Sequence, residues 1–388
     1  MITILNKEDC CGCYACMNIC PKNCIEMQAD SEGFYYPAVN SELCVDCGLC
    51  EKICPSLQEK TSAEENHPTE PMAYAMINKN EEVRMDSSSG GIFTLLAEEI
   101  LKNQGVVFGV AMTSDCKAAV HVEVKNSEDL WRLRGSKYLQ SKVEDTYIKA
   151  KEYLEQGRQV LFSGTPCHIE GLKNYLRWDY SNLYCVDIIC HGVPSQKVWE
   201  KYLEYRNRDG HSNQVSFRNK KQGWKAYSLV LKLSNGKLLS ETLYDDWFMT
   251  AFLRGLSMRP SCYTCHFKKI NRVSDITLAD FWGIHEAIPE MDDNRGTSLV
   301  LVHSDNGKSL LDKIIQNVEM KQADFSVAKQ MNPSMVKSAE KNPGREAFFK
   351  DLDSYPFDKL VQKHVPEKGT LEAKAKRIVK RIIRKLKN

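Results

Sequence analysis

From Met72 onward the chain alternates short apolar runs with amphipathic stretches, and that alternation predicts its elements. Met72–Ile77 and Val106–Met112 read as buried strands, with an amphipathic helix over Ile92–Asn103 between them. Val120–Val124 alternates as a strand, Thr146–Glu155 has helical spacing, and Gln159–Phe162 and Leu183–Ile189 are again buried strands. A helix follows over Lys197–Arg206. Val215–Phe217, Ser228–Leu233 and Lys237–Thr242 then read as strands, the last two hinged at Ser234-Asn235-Gly236. Helices return at Asp245–Leu253 and Lys308–Ile315. The class is α+β, with a mixed and partly antiparallel sheet and no longer-range repeat.

The stretch before Met72 shows neither period. It is organised by cysteine: the 388 residues hold 16, and ten fall before residue 55. Cys10, Cys13, Cys16 and Cys20, followed by Pro21, have the spacing C-x2-C-x2-C-x3-C-P, and Cys44, Cys47, Cys50 and Cys54, followed by Pro55, repeat it. This is the run of a bacterial two-cluster ferredoxin, in which the fourth cysteine of each run ligates the other cluster. One 4Fe–4S cube is therefore expected on Cys10, Cys13, Cys16 and Cys54, and one on Cys44, Cys47, Cys50 and Cys20. Zinc ribbons use C-x2-C pairs rather than such three-cysteine runs. Gly33-Phe34-Tyr35-Tyr36-Pro37 reads as a hairpin covering the clusters, and Cys11 and Cys24 as surplus buried thiols.

Residues 1–56 thus form a ferredoxin domain, 57–71 a polar and acidic linker, and 72–331 the larger domain. A helical extension over 332–369 and a basic helix over 370–388 complete the chain. No run of 18 apolar residues is present, and Met1 to Asp9 lacks the basic and apolar regions of a signal peptide. A cytoplasmic chain with reduced thiols is expected, so the cysteines read as metal and redox residues rather than disulfides.

In the larger domain, small and polar residues gather at strand–helix junctions. Ser87-Ser88-Ser89-Gly90-Gly91 precedes a helix and could cradle a phosphate on backbone amides, or simply cap the helix. Gly135-Ser136-Lys137-Tyr138 with Gln140 and Ser141, Ser163-Gly164-Thr165-Pro166-Cys167, and Cys190-His191-Gly192-Val193-Pro194-Ser195 are three more such loops. Cys262-Tyr263-Thr264-Cys265-His266 has the haem-attachment spacing, but the chain offers no export signal or second axial ligand. Cys262 and Cys265 pair better with Cys167 and Cys190: four thiols from three loops can hold a third 4Fe–4S cube or one zinc, and a cube wired to the ferredoxin clusters is favoured. Cys116 and Cys185 lie in apolar segments and read as core thiols. A radical reaction on S-adenosylmethionine is set aside, because its C-x3-C-x2-C run is missing.

Together SSSGGIF, GSKYLQS, GTPC, CHGVPS, CYTCHF and DITLADFWG resemble the coenzyme F420 hydrogenase/dehydrogenase beta-subunit family, from the ferredoxin module to about Gly283 and more weakly to about Met331. The resemblance implies a mixed-sheet flavin- and cluster-binding domain behind the ferredoxin module. It implies FAD held by Ser88, Ser89, Gly90, Gly91, Ser136, Lys137 and Tyr138, with Thr165 beside them, and a cluster on the scattered cysteines. A flavin converts between two-electron and one-electron chemistry. The implied function is an oxidoreductase passing electrons between a ferredoxin-like donor and a small organic substrate, in a setting linked to surface polysaccharide. A docking and electron-transfer subunit of a larger complex, with no substrate of its own, is the alternative. Lys137, as a cation beside reduced flavin, and His191, as a proton or hydrogen-bond donor beside cluster sulfur, are the candidate catalytic residues; His168 is a second such donor.

The 53 Lys and Arg against 51 Asp and Glu give a net charge of +2, which averages unlike parts. Glu372–Asn388 carries eight bases and one acid, leaving 45 bases and 50 acids for the body, a net −5. Ala375, Ile378, Val379, Ile382, Ile383 and Leu386 align at helical spacing, the pattern of a basic amphipathic helix. Peripheral contact with the inner face of a membrane, a partner subunit, or packing on the body are its three readings. Nucleic acid is excluded as a partner, since no basic patch with aromatics accompanies the tail.

Overall fold

The computed structural model describes residues 1–58 and 70–366. The basic tail and most of the expected linker lie outside them. Among the described residues no helix is long and apolar enough to cross a membrane.

The chain opens with a hairpin, β1 (Ile25–Ala29) against β2 (Tyr35–Val39), flanked by short helices that carry the two cysteine runs. Its turn needs Gly33, at φ +85°, where a Cβ would lie 2.6 Å from the Cβ of Lys197. Of the hairpin residues that the sequence set over the cysteines, Tyr36 faces Cys10 and Pro37 lines the cavity of Cys10, Cys13, Cys16 and Cys54, while the aromatics also meet the larger domain. Phe34 is 1% exposed and meets Phe349 edge-on at 6.2 Å, and the Tyr36 ring centre lies 4.3 Å from the Arg259 guanidinium. The hairpin thus also serves docking.

The larger domain is built on an eight-stranded sheet. In chain order its strands are β3 (Met72–Asn78), β4 (Val106–Met112), β5 (Ala119–Val124), β6 (Val160–Gly164) and β7 (Leu183–Ile188). A separate three-stranded antiparallel sheet follows, of β8 (Ser212–Asn219), β9 (Ser228–Leu233) and β10 (Leu238–Thr242). The chain then returns to the large sheet with β11 (Ile276–Asp280), β12 (Ser298–Val302) and β13 (Val318–Ala323). The order across the large sheet is β13-β3-β12-β11-β7-β6-β4-β5. Its centre, β4-β6-β7-β11, is parallel, and both flanks are antiparallel.

This topology places the chemistry. In open α/β sheets ligands gather at the carboxyl ends of parallel strands. Here β6 delivers Thr165-Pro166-Cys167, β7 delivers Cys190-His191, and β11 delivers Phe281-Trp282-Gly283 to that edge. Helices Ile92–Lys102 and Asp305–Ile314 pack with one face of the sheet, and helices Thr146–Glu155 and Pro166–Leu176 with the other. The second face also receives the ferredoxin module, through Cys11, Cys13, Tyr14, Ala15 and Ile53. Helices Arg345–Asp351 and Phe357–His364 join a further core of Trp199, Tyr202, Phe217 and Phe248. Arg345 reaches back from there in a two-pronged pair with Glu32, at 3.0 and 2.6 Å.

Candidate metal and cofactor centre

The two runs of the ferredoxin module fold into two cysteine-lined cavities. One is bounded by Cys10, Cys13, Cys16 and Cys54, with Ile2, Ile4 and Met27 around them. The other is bounded by Cys20, Cys44, Cys47 and Cys50. Each cavity takes three cysteines from one run and one from the other, and a fifth thiol lies beside each set, Cys11 at the first and Cys24 at the second. Among the described residues no three His, Cys, Asp or Glu converge tightly enough to seat a single ion. The thiols surround wider spaces. The two sites differ in depth: Cys13 and Cys16 are buried, whereas Cys47 is exposed beside Leu43 and Val45.

The surplus cysteines are not isolated. Cys24 Sγ lies 3.3 Å from Cys20 Sγ. The Cys11 thiol is within hydrogen-bonding reach of Cys13, Cys167 and the Ser56 hydroxyl, so it joins the inner cavity to the larger domain. Cys116 and Cys185 are buried core thiols.

Cys190, Cys262 and Cys265 face one another, and Cys167 faces Cys265 from the far side. Lys268 props this group, its amine donating to the Cys190 carbonyl at 2.6 Å and the Ser334 carbonyl at 3.1 Å. With no metal, burial pushes the thiols of Cys54 and Cys262 up to about 12 and that of Cys265 up to about 11. Thiolates there need a cation to hold them. Thr165 stands beside this group, its hydroxyl 3.1 Å from Cys167 Sγ.

His168 is 1% exposed and neither ring nitrogen has a partner among the described residues. His191 likewise leaves a buried Nε2 unpartnered, its ring edge-on to Phe252 at 5.2 Å. Burial pushes both down to about 4. At neutral pH they are neutral imidazoles, suited to giving one hydrogen bond rather than a ready proton. A buried polar atom without a partner costs roughly 1–3 kcal/mol, so sulfur or sulfide acceptors nearby would suit them.

On another side of the sheet edge, the Ser88 hydroxyl accepts the Ser136 backbone N–H at 2.6 Å and joins two of the loops singled out in the sequence. Gly91, at φ +81°, heads the Ile92–Lys102 helix with no side-chain cap, leaving first-turn amides for an anionic group. Gly90 is required by close approach: a Cβ there would lie 2.3 Å from the Met76 carbonyl oxygen. Lys137 donates to the carbonyls of Arg132 and Arg134 at 3.0 and 2.8 Å, and burial pushes its amine down to about 7. Tyr138 lies among Phe217 and Phe252, its ring centre 5.8 and 5.2 Å from theirs.

Three basic residues here had no signal in the sequence. Lys220 donates to the Arg84 and Ser89 carbonyls at 2.6 and 2.7 Å and supports the serine–glycine loop from beneath. Arg218 pairs with Asp280, which also accepts the Trp224 indole N–H at 2.7 Å, while Trp224 stacks on Trp282 at 4.9 Å. Arg259 is wholly buried between the ferredoxin module and the Cys262 turn.

Fold and site together define an iron–sulfur redox protein: a two-cluster module docked on a mixed-sheet domain that presents more cysteines at the ends of its parallel strands. Residues 9–57 match the 4Fe–4S dicluster domain. Residues 73–146 and 157–326 match the N-terminal and C-terminal parts of the coenzyme F420 hydrogenase/dehydrogenase beta subunit, well over half of the chain between them. The chain belongs to that family, a family of oxidoreductases. A coenzyme F420-dependent sulfite reductase of Methanocaldococcus jannaschii is 28% identical over 120 residues, 31% of this chain and 19% of that protein, so the match spans about a fifth of the relative. A chain of the F420-reducing NiFe hydrogenase complex from Methanosarcina barkeri superposes with a TM-score of 0.47 at 15% identity, covering 79% of this chain and 94% of that one.

Proposed function

We propose that the chain passes single electrons from a ferredoxin-like donor through three 4Fe–4S clusters to FAD, and from there to a small organic substrate. The observation that carries the reading is the pair of cavities, each lined by three cysteines of one run and the fourth of the other, with Cys11 beside the first set and Cys24 beside the second. Cys20, Cys44, Cys47 and Cys50 would hold the outer cube, and Cys10, Cys13, Cys16 and Cys54 the inner one. Cys167, Cys190, Cys262 and Cys265 would hold the third, next to the inner one across Cys11.

Bound FAD would supply the exchange between hydride and single electrons. The residues of this chain would do the rest. The first-turn amides after Gly91 would take the pyrophosphate, aided by the helix dipole. Ser88, Ser89, Ser136 and Tyr138 would frame the remainder. Lys137, pinned by two carbonyls, would set a fixed donor beside charge developing on the ring. The proposed domain limits follow the same division: residues 1–56 collect electrons and 72–331 use them.

Anaerobic isolation with iron and flavin counted per chain tests the reading. About 12 irons and one FAD are expected. Iron without any flavin after reconstitution removes the flavin step and leaves a relay subunit; about eight irons with zinc removes the third cube. Turnover assayed with FAD-loaded chain and coenzyme F420 then shows whether the deazaflavin, which names the family, is the hydride partner.

A further inference from the structure

Arg259 is the most deeply buried arginine among the described residues, at 0% exposure. The other buried guanidinium groups each face a carboxylate: Arg84 faces Asp293, Arg218 faces Asp280, Arg272 faces Asp187 and Arg345 faces Glu32. Arg259 has none among the described residues. Its Nε donates to the Cys10 carbonyl at 2.8 Å, Nη1 to Gln140 Oε1 at 3.0 Å, and Nη2 to the Tyr35 carbonyl at 2.9 Å. The rings of Tyr36 and Phe34 cover it at 4.3 and 5.8 Å. Every one of these partners is neutral.

A buried cation without a counter-charge is costly by several kcal/mol, and such groups are ordinarily paired. Hydrogen bonds to carbonyls satisfy the donors but leave the charge. The titratable groups that face the guanidinium are the sulfurs of Cys10, Cys11 and Cys262 and the Tyr36 phenol, which burial keeps neutral, so the anionic candidates are the sulfurs. Cys10 lines the inner cavity, and Cys262 belongs to the third group. The fold keeps room for this contact. Gly12, at φ +68°, sits where a Cβ would lie 2.9 Å from Arg259 Nη1 and 2.6 Å from Gln140 Nε2.

We propose that Arg259 is the counter-charge shared by the inner cube on Cys10, Cys13, Cys16 and Cys54 and the third cube on Cys167, Cys190, Cys262 and Cys265, and that it raises the reduction potentials of both. The proposal rests on the cluster reading above. An oxidised cube with its four thiolates carries about −2. One electron from the donor takes it to about −3 with no proton bound, so a fixed cation in a low-dielectric setting favours the reduced form of each neighbour. Arg259 is a positioning residue in this role. Among the described residues Arg259 faces none of Cys20, Cys44, Cys47 and Cys50, whose cavity is lined instead by Met1 and Lys22, so the outer cube serves as the internal reference.

The test is a potentiometric titration of the full, iron-loaded chain followed by electron paramagnetic resonance. In Arg259→Gln the inner and third cubes are expected to be reduced about tenfold less at the wild-type midpoint, which is 59 mV for a one-electron couple, with the outer cube unmoved. Arg259→Lys should stay within about threefold of wild type. Gln140→Leu removes the hydrogen bonds to the Cys11 and Gly12 carbonyls and the acceptor of Arg259 Nη1, but keeps the Arg259 charge, and should leave all three potentials within about threefold of wild type. Full iron with unshifted potentials in Arg259→Gln overturns the proposal. If Arg259→Gln loses iron and Arg259→Lys keeps it at wild-type potentials, the charge is needed and the proposal stands; if both lose it, Arg259 is a clamp and the proposal fails. A wild-type chain holding only about eight irons defeats the third cube and the shared role with it, and the iron count separates that outcome from a failure of Arg259.

Discussion

The Ser88 hydroxyl accepts the backbone N–H of Ser136 at 2.6 Å, so two loops 48 residues apart are held as one frame. Ser88→Ala removes the acceptor and leaves a half-buried amide short of a partner. A loss of about 1 kcal/mol in stability is expected, together with a several-fold weaker hold on FAD, read by flavin fluorescence after dilution. Unchanged flavin retention would detach this frame from the cofactor.

Gly12 stands at φ +68°, with no room for a Cβ beside Gln140 and Arg259. Gly12→Ala should push the first cysteine run away from the larger domain and cost the chain the inner cube, about four irons by chemical analysis. The outer cube should survive.

The Arg345–Glu32 pair is a two-pronged contact in which Arg345 is 4% exposed. Glu32→Ala removes the counter-charge and leaves the guanidinium with the Tyr263 hydroxyl and the Met258 carbonyl, to which it donates at 3.1 and 3.0 Å. Breaking such a pair from one side costs about 3 kcal/mol. The expected readout is a lower urea midpoint and earlier bleaching of the inner cluster.

Asp246 is fully buried, accepting the Tyr202 hydroxyl at 2.6 Å and the Met249 N–H at 2.9 Å. Burial raises its carboxyl from 3.8 to about 6. The folded chain therefore binds the proton more tightly than the unfolded one. This group's contribution to stability is full below about pH 4 and is lost as pH rises through 6. Asp246→Asn keeps an acceptor for the helix cap and should flatten that part of the slope, worth on the order of 2–3 kcal/mol, in urea midpoints taken from pH 4 to 7. An identical slope in the variant would refute the assignment.

The parts legible in the sequence are those carried by local pattern. Val106–Met112, Thr146–Glu155 and Ser228–Leu233 fall where periodicity put them. The crossed cysteine sets follow from spacing alone, because the chain must bring the two runs together to close either cavity. β11 was hidden inside a motif read for its chemistry, DITLADFWG, and β12 is a five-residue apolar run that gives no period to read. Thr165 was assigned by loop resemblance, and its hydroxyl lies beside Cys167 two residues on. Arg218, Lys220 and Arg259 could not be found this way. Each acts on partners far off in sequence, and a lone base in a strand or turn looks like any solvated one until its burial is known.

The docked hairpin has a consequence for how the protein is made. Phe34 is buried against Phe349, and Tyr36 against Arg259, so a free ferredoxin module would show water an aromatic face that later parts of the chain cover. Phe349 lies near the end of the described residues and is synthesised long after the cysteine runs. Between those moments the module is a sticky intermediate with its cavities open to reagents. Metal loading and docking would share that window, and a chain cut between the two domains would leave Phe34 and Tyr36 without their cover.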